Sequence, residues 1–349
     1  MFMIGFQGEA LTRDERLMIE QCGFGGFILF SHNCRQPRQI LSLCRELWET
    51  GTELPPLIAI DQEGGRVHRL PPPFTHFPPA AALGRAGSAA LAYKVGLATA
   101  RELSAAGINL NFAPVLDVHS NPSNPVIGDR SLSSDPQEVI RFGWEIVRGL
   151  RAGGVFPSAK HFPGHGDTDK DSHIELPVVD KPLDELRAVE LPPFVHACGQ
   201  GIETLMTAHV LYRALDPEFP ATLSEKIVTG MLRHDLGYDG VVFSDDMEMK
   251  AIGANYGDEE AVERAVRAGV DVILYGHDLA RAAHACEHLV AEAERDPALR
   301  ARVEESYRRI NQLKNGRLRS FPGADESEIA KRLASFDHRR LVDEIYGSL

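Results

Sequence analysis

The sequence predicts an α/β fold, a single (β/α)8 TIM-type barrel with a short helical C-terminal extension, and three observations carry that expectation. Eight short apolar runs alternate with longer stretches of helical periodicity, the pattern of βα units around a parallel sheet. The chain has 349 residues, and a barrel of this kind typically takes roughly 250 plus insertions. A doubly wound open sheet would want a G-x-G-x-x-G turn after an early strand, and the nearest imitation, Gly199-Gln-Gly201, precedes a strand instead.

In chain order the expected strands are Met3–Phe6, Gly26–Phe30, Leu57–Asp61, Ile108–Ala113, Val155–His161, Thr204–His209, Gly240–Asp245 and Val270–Tyr275. Helical candidates such as Ala90–Ala106, Pro136–Ala152 and Glu259–Ala268 separate them. After Tyr275 the pattern is helical over Leu279–Glu294 and Ala298–Lys314. A Gly/Pro-marked break at Ser320–Gly323 follows, then a helical tail of about 25 residues. That remnant is too short for a second core, so residues 1–315 are expected to form one catalytic barrel and 316–349 an extension packed on or near it.

Composition narrows the function. With 43% hydrophobic and 25% charged residues, 31 Gly and 22 Pro, the chain is neither disordered, collagen-like nor coiled coil. Lys and Arg number 37 against 50 Asp and Glu, a net charge of −13, so no overall field would attract nucleic acid or an anionic membrane. An anionic ligand would have to be met by locally placed Arg or Lys. The five cysteines are scattered without C-x-x-C pairs, which suits reduced thiols in a cytosol. The N-terminus has no basic-then-apolar leader and no run of 18 apolar residues occurs, so a soluble, cytoplasmic protein is expected.

In such a barrel the active site lies at the C-terminal ends of the strands, so polar residues directly after apolar runs come first. Strand three ends in Asp61-Gln-Glu-Gly-Gly-Arg-Val-His-Arg69, strand four leads to Asp117 and Gly128-Asp-Arg130, strand five ends in Lys160-His161 and a polar loop to His173, and strand seven ends in Ser244-Asp245-Asp246. A carboxylate at one strand end could simply cap a helix, a reading that weakens when four strands on one rim share the feature. Because successive strand side chains alternate between faces, only one of Asp245 and Asp246 is expected to face the barrel axis.

The loop Phe162–Ile174 is long and polar. Its Asp167-x-Asp169-x-Asp171 resembles the start of a calcium loop, yet Ser172 stands where Gly is needed and Val178 where Glu is needed. Zinc on His161, His165 and His173 is a further reading, set against the absence of a His-x-His on strand one. No cofactor or metal is therefore expected.

Glycoside hydrolysis with retention needs a proton donor for the leaving oxygen and a carboxylate nucleophile. A histidine can act as the donor, since its ordinary pKa near 6.5 lets it give and later take a proton. Asp171, two residues before His173, could fix that imidazole's tautomer, and Asp245, on a rigid strand end, could be the nucleophile.

The segments IDQEGGRVHRL, NPVIGDRSL, KHFPGHGDTDKDSH and GYDGVVFSDDMEMKAI, in this order, resemble the signatures of family 3 glycoside hydrolases, specifically bacterial β-N-acetylglucosaminidases of the NagZ type. The likeness runs from the N-terminus to about residue 290. It implies His173 as acid/base on a mobile loop, Asp171 as its dyad partner and Asp245 as nucleophile. It also implies that Asp61, Arg69, Arg130, Lys160 and His161 hold the sugar hydroxyls and the 2-acetamido group. The implied activity is removal of non-reducing terminal GlcNAc from cell-wall (peptidoglycan) fragments, with a GlcNAc-containing oligosaccharide or muropeptide as partner and a monomer or weak dimer as assembly. Competing readings are a GlcNAc-glycoside phosphorylase, a non-catalytic sugar-binding barrel and a metal-dependent amidohydrolase. One departure is Leu132 after NPVIGDRS, where the family more often has Phe.

Overall fold

Eight strands close into one barrel in which every neighbour is parallel and follows its predecessor in the chain. They are β1 Phe2–Ile4, β2 Gly26–Leu29, β3 Leu57–Ile60, β4 Leu110–Asn111, β5 Phe156–Phe162, β6 Thr204–Thr207, β7 Val241–Asp246 and β8 Val272–Tyr275. Closure comes from β1, which pairs with β2 on one side (Met3 opposite Gly26) and β8 on the other (Phe2 opposite Ile273). The computed structural model describes residues 1–51, 54–169, 175–333 and 335–349. Each apolar run of the sequence overlaps one barrel strand, within two residues at the ends. The fourth, Leu110–Asn111, is shorter than its run at both ends, and Pro114, which has no N–H for the ladder, stands directly after that run.

The barrel interior is a packed layer of side chains, Met3, Ile28, Ala59, Leu110, Phe112, Phe156, Met206 and Phe243 among them, with Phe112 and Phe243 edge to face at 5.3 Å. A larger apolar cluster fills the space between strands and helices. The helices begin and end where local chemistry dictates. Asp135 accepts from Gln137 N ahead of Pro136 to open Pro136–Ala152, and Gly269, at φ 116°, closes Asp258–Ala268. The helices Ala89–Ala105 and Pro136–Ala152 approach so closely that a Cβ on Gly149 would lie 2.3 Å from the Tyr93 carbonyl oxygen.

The helix Pro297–Arg317 closes the N-terminal end of the barrel, where Ile310 joins the interior cluster and Lys314 Nζ donates to Gly25 O at 2.7 Å. Beside it, buried Asp271 gathers Arg233, Arg302 and Ser306 at 2.5–2.7 Å. The later helices Ile329–Arg332 and Phe336–Gly347 lie against Ala89–Ala105, and His338 Nδ1 there meets Glu102 Oε1 at 2.8 Å. Among the described residues no helix is long and apolar enough to cross a membrane.

Candidate active site

Two irregular strand ends build the site. On β5, Ala159 pairs with Leu205 but Phe162 pairs with Thr207, so three steps along β5 span two along β6, and the Lys160–His161 peptide within that stretch is cis. On β7, Phe243 pairs with Val272 but Asp246 with Leu274, again three steps against two. Ser244 Oγ takes the Leu274 N–H at 2.9 Å where the ladder is interrupted. An extra residue in a ladder resets the alternation of side chains. Lys160 and His161 consequently line one pocket together, as do Asp245 and Asp246. The expectation that only one of those two aspartates faces inward is corrected, because the two-residue period holds only for a regular strand.

The pocket, about 300 Å³, opens at the C-terminal ends of the strands above Ile28, Met206 and Leu274. It brings together Asp61, Arg69, Arg130, Lys160, His161 and Asp245. Asp171 and His173 lie outside the described residues. Glu63, His165 and Asp246 also line the pocket; the sequence reading named His165 only as a possible zinc ligand and gave Glu63 and Asp246 no part in binding or catalysis.

Expected as ligand-facing cations, Arg130 and Lys160 are engaged by carboxylates of the pocket itself. Lys160 Nζ lies 2.5 Å from Asp61 Oδ1 and 2.6 Å from Glu63 Oε1. Arg130 grips Glu63 with two parallel bonds of 2.8 Å. Burial pushes the Glu63 pKa up, but Arg130 and Lys160 together hold it far below the carboxylate range. Arg69 differs: among the described residues it has no ion-pair partner, and its buried Nε has no hydrogen-bond partner, leaving the guanidinium to the pocket. The signal for Glu63 was present in the sequence, since it stands two residues after Asp61 in a segment already singled out.

Asp117 is fully buried and organises the β5 end. Its Oδ1 accepts from His161 N (3.0 Å) and His165 N (2.7 Å), and its Oδ2 lies 2.7 Å from His161 Nδ1. Burial raises its pKa, yet the two histidines bring it below the usual value. An ionised carboxylate only accepts, so the His161 proton belongs on Nδ1. His165 is pushed down to about 4, by burial first and by His161 second, and Thr168 Oγ1 lies 2.9 Å from its Nδ1. Asn124 Nδ2 donates to the carbonyls of His165 (2.8 Å) and Gly166 (3.0 Å), tying down the start of the polar loop.

The paired aspartates have diverging acidities. Burial pushes Asp245 up, but His161, His209 and the Asp246 N–H (2.8 Å to Oδ1) outweigh it and bring it below its ordinary value. Asp246 is pushed up to about 7, by burial first, with the charges of Glu248 and Asp245 adding to it. One carboxylate ionised throughout the neutral range beside one near its midpoint is the division of labour acid–base sites use. Behind Arg130, Leu132 borders a void of about 40 Å³ that Glu63 and Arg130 also line. Among the described residues no three His, Cys, Asp or Glu side chains form a group that could hold a metal ion.

Residues 1–313 match the model of the glycosyl hydrolase family 3 N terminal domain. The chain is 36% identical over 356 residues to beta-hexosaminidase A of Pseudoalteromonas piscicida, covering 94% of this chain and 59% of that one, so it spans less than two thirds of that relative. To the beta-hexosaminidase of Alkalilimnicola ehrlichii it is 39% identical over 279 residues, covering 78% of this chain and 79% of the relative. Among solved structures, a family 3 beta-N-acetylglucosaminidase from a Paenibacillus species superposes with TM-score 0.92 at 41% identity, over 99% of this chain and 67% of that one. NagZ from Neisseria gonorrhoeae, in complex with N-trifluoroacetyl-D-glucosamine, superposes with TM-score 0.79 at 30% identity, over 99% and 97%.

Proposed function

The chain belongs to glycosyl hydrolase family 3, and on that premise we propose that it is a retaining exo-β-N-acetylglucosaminidase acting on cell-wall fragments in the cytoplasm. One observation carries the reading: Asp245, with a lowered pKa and on a strand end, shares one pocket with Asp61, Arg69, Arg130, Lys160 and His161. The polar group is dense enough to hold a sugar by its hydroxyls, and the pocket suits a single terminal residue better than a long chain.

In this reading the Asp245 carboxylate attacks the anomeric carbon while His173, oriented by Asp171, gives its proton to the departing glycosidic oxygen. The C1–O bond breaks with its electron pair on that oxygen, and an ester joins Asp245 to the sugar. His173 then takes a proton from water, whose oxygen attacks C1 and releases Asp245. Asp61, Lys160 and His161 anchor hydroxyls, with Glu63 and Asp117 holding the cation and the imidazole in place. Residues 1–315 form the catalytic barrel and 316–349 a helical extension on it, and a monomer or weak dimer suffices for the site.

The test is a pair of chromogenic substrates, β-GlcNAc and β-glucose glycosides, with the anomer of the first-formed sugar read by NMR. The reading expects kcat/KM to favour GlcNAc by at least about a hundredfold and β-GlcNAc to appear first. Equal rates on both would remove the N-acetyl specificity, and an α-product would remove retention. Release of GlcNAc from GlcNAc-1,6-anhydroMurNAc tests the substrate class.

A further inference from the structure

The polar loop that leaves β5 is tied together at its base. Its outgoing leg runs from Gly164, whose carbonyl accepts the Tyr212 hydroxyl at 2.7 Å, to Asp167, whose carbonyl accepts from Asn121 Nδ2 at 3.2 Å. Its returning leg, Val178–Val179, pairs in parallel with Leu211–Tyr212. Fully buried Tyr212 therefore holds both legs, one by its backbone and the other by its hydroxyl.

Lys181, just beyond the returning leg, bridges the two legs again. Its Nζ lies 2.9 Å from Asp167 Oδ1 and 2.9 Å from Glu190 Oε1. Glu190 Oε1 also accepts from Ser120 Oγ at 2.8 Å, so the clasp is pinned to the segment that follows β4. Burial pushes the Lys181 pKa down, but Asp167 and Glu190 outweigh it and hold it above its ordinary value.

Packing alone does not explain Glu190. Its side chain is fully buried, yet Oε2 has no hydrogen-bond partner among the described residues. A buried carboxylate with one oxygen unpaired costs stability, and an apolar side chain of like size would avoid that cost. What the carboxylate supplies instead is a fixed place for the Lys181 ammonium. Gly164, at φ 130°, makes room for it, since a Cβ there would lie 2.7 Å from Glu190 Cβ.

We propose that Lys181, held by Glu190, is a positioning residue for the acid/base step: its ion pair with Asp167 fixes the separation of the two loop legs and thereby aims the proton donor that lies between them in the chain. The inference rests on the reading of His173 as that donor and adds the residues that place it. A proton donor acts only within hydrogen-bond reach of the leaving oxygen, and a misplacement of about 1 Å caused from afar can cost about a hundredfold. The nucleophile is held separately, because Asp245 stands on β7 and takes its hydrogen bond from Asp246 N. Loss of the clasp therefore weakens protonation and leaves attack on C1 intact.

The test is Lys181→Met, assayed on a β-GlcNAc glycoside with an activated leaving group and on a GlcNAc disaccharide, with His173→Ala run alongside. The expected result is a fall in kcat/KM of at least about tenfold on the disaccharide but within about threefold on the activated glycoside. Lys181→Arg should restore most of the loss, since a guanidinium can donate to both carboxylates. A variant that merely folds less well loses active molecules and falls equally on both substrates. Equal losses, or no loss, in Lys181→Met would overturn the proposal. If Lys181→Met does not fold, Asp167→Asn breaks the same ion pair: the same split between substrates supports the clasp, and its absence overturns it. His173→Ala without that split would overturn the acid reading and the proposal with it, whereas a split in His173→Ala alone removes the clasp and leaves that reading standing.

Discussion

Glu63 and Arg130 meet fork to fork inside the pocket, with both N–O distances at 2.8 Å, and Glu63 Oε1 also receives Lys160 at 2.6 Å. The cations that would hold a sugar are therefore neutralised and oriented before any ligand arrives. Side chains locked in this way lose little freedom on binding, which is how a rigid site saves the cost of ordering.

Glu63→Gln is expected to lower kcat/KM by about ten- to a hundredfold, since Arg130 loses its bidentate partner and Lys160 one of two carboxylates. Removing one member of a buried pair costs about 3–5 kcal/mol when a charge is left uncompensated. Asp61 still faces Lys160, so the loss in urea unfolding should fall toward the lower end. The folded pKa of Glu63 is depressed, so its stabilising contribution is complete above the unfolded value near 4.3 and is lost as pH falls toward the folded value. A wild-type advantage over the variant that widens as pH falls below about 4.3 would contradict this sign.

Asp245→Ala should abolish turnover, because no glycosyl-enzyme can form. A 2-fluoro sugar with a good leaving group should label the wild-type protein at Asp245, read by peptide mass. Label on Asp246, which lines the same pocket, would exchange the roles of the two carboxylates.

His173→Ala should spare substrates with activated leaving groups far more than natural disaccharides, since only a poor leaving group needs protonation. Asp171→Asn should show the same pattern more mildly. Equal losses on both substrate classes would exclude His173 as the acid.

Asp117→Asn retains an acceptor for the His161 and His165 N–H groups but turns an amide N–H₂ toward His161 Nδ1. The imidazole must then carry its proton on the other nitrogen, which reverses what it offers to the pocket. A loss of about tenfold or more in kcat/KM is expected, and an NMR tautomer assignment of His161 would verify the cause.

Lys314 is 4% exposed and, among the described residues, bonds only the Gly25 carbonyl, which also accepts from Leu57 N. Burial pushes its pKa down to about 8. Because the folded value is the lower one, the cost of charging it is fully present below about pH 8. That cost is relieved as pH rises toward the unfolded value near 10.4. Lys314→Met should raise stability at pH 7 by about 1–3 kcal/mol, with a smaller gain at pH 10. A lowered melting temperature at pH 7 would refute this.

Local patterning in the chain determined the barrel: eight apolar runs each overlap one strand, and Pro136 and Gly269 sit where helices start and stop. Strand-end polarity and motif order likewise pointed to Asp61, Arg69, Arg130, Lys160, His161 and Asp245, which the pocket brings together. Tertiary structure alone decided the pairing and the aim of these groups. Glu63 meets Arg130 across 67 residues of chain and Asp61 meets Lys160 across 99, contacts that exist only once the barrel has closed. The aim of Asp246 depends on a ladder irregularity between β7 and β8, and no two-residue period in the sequence encodes it.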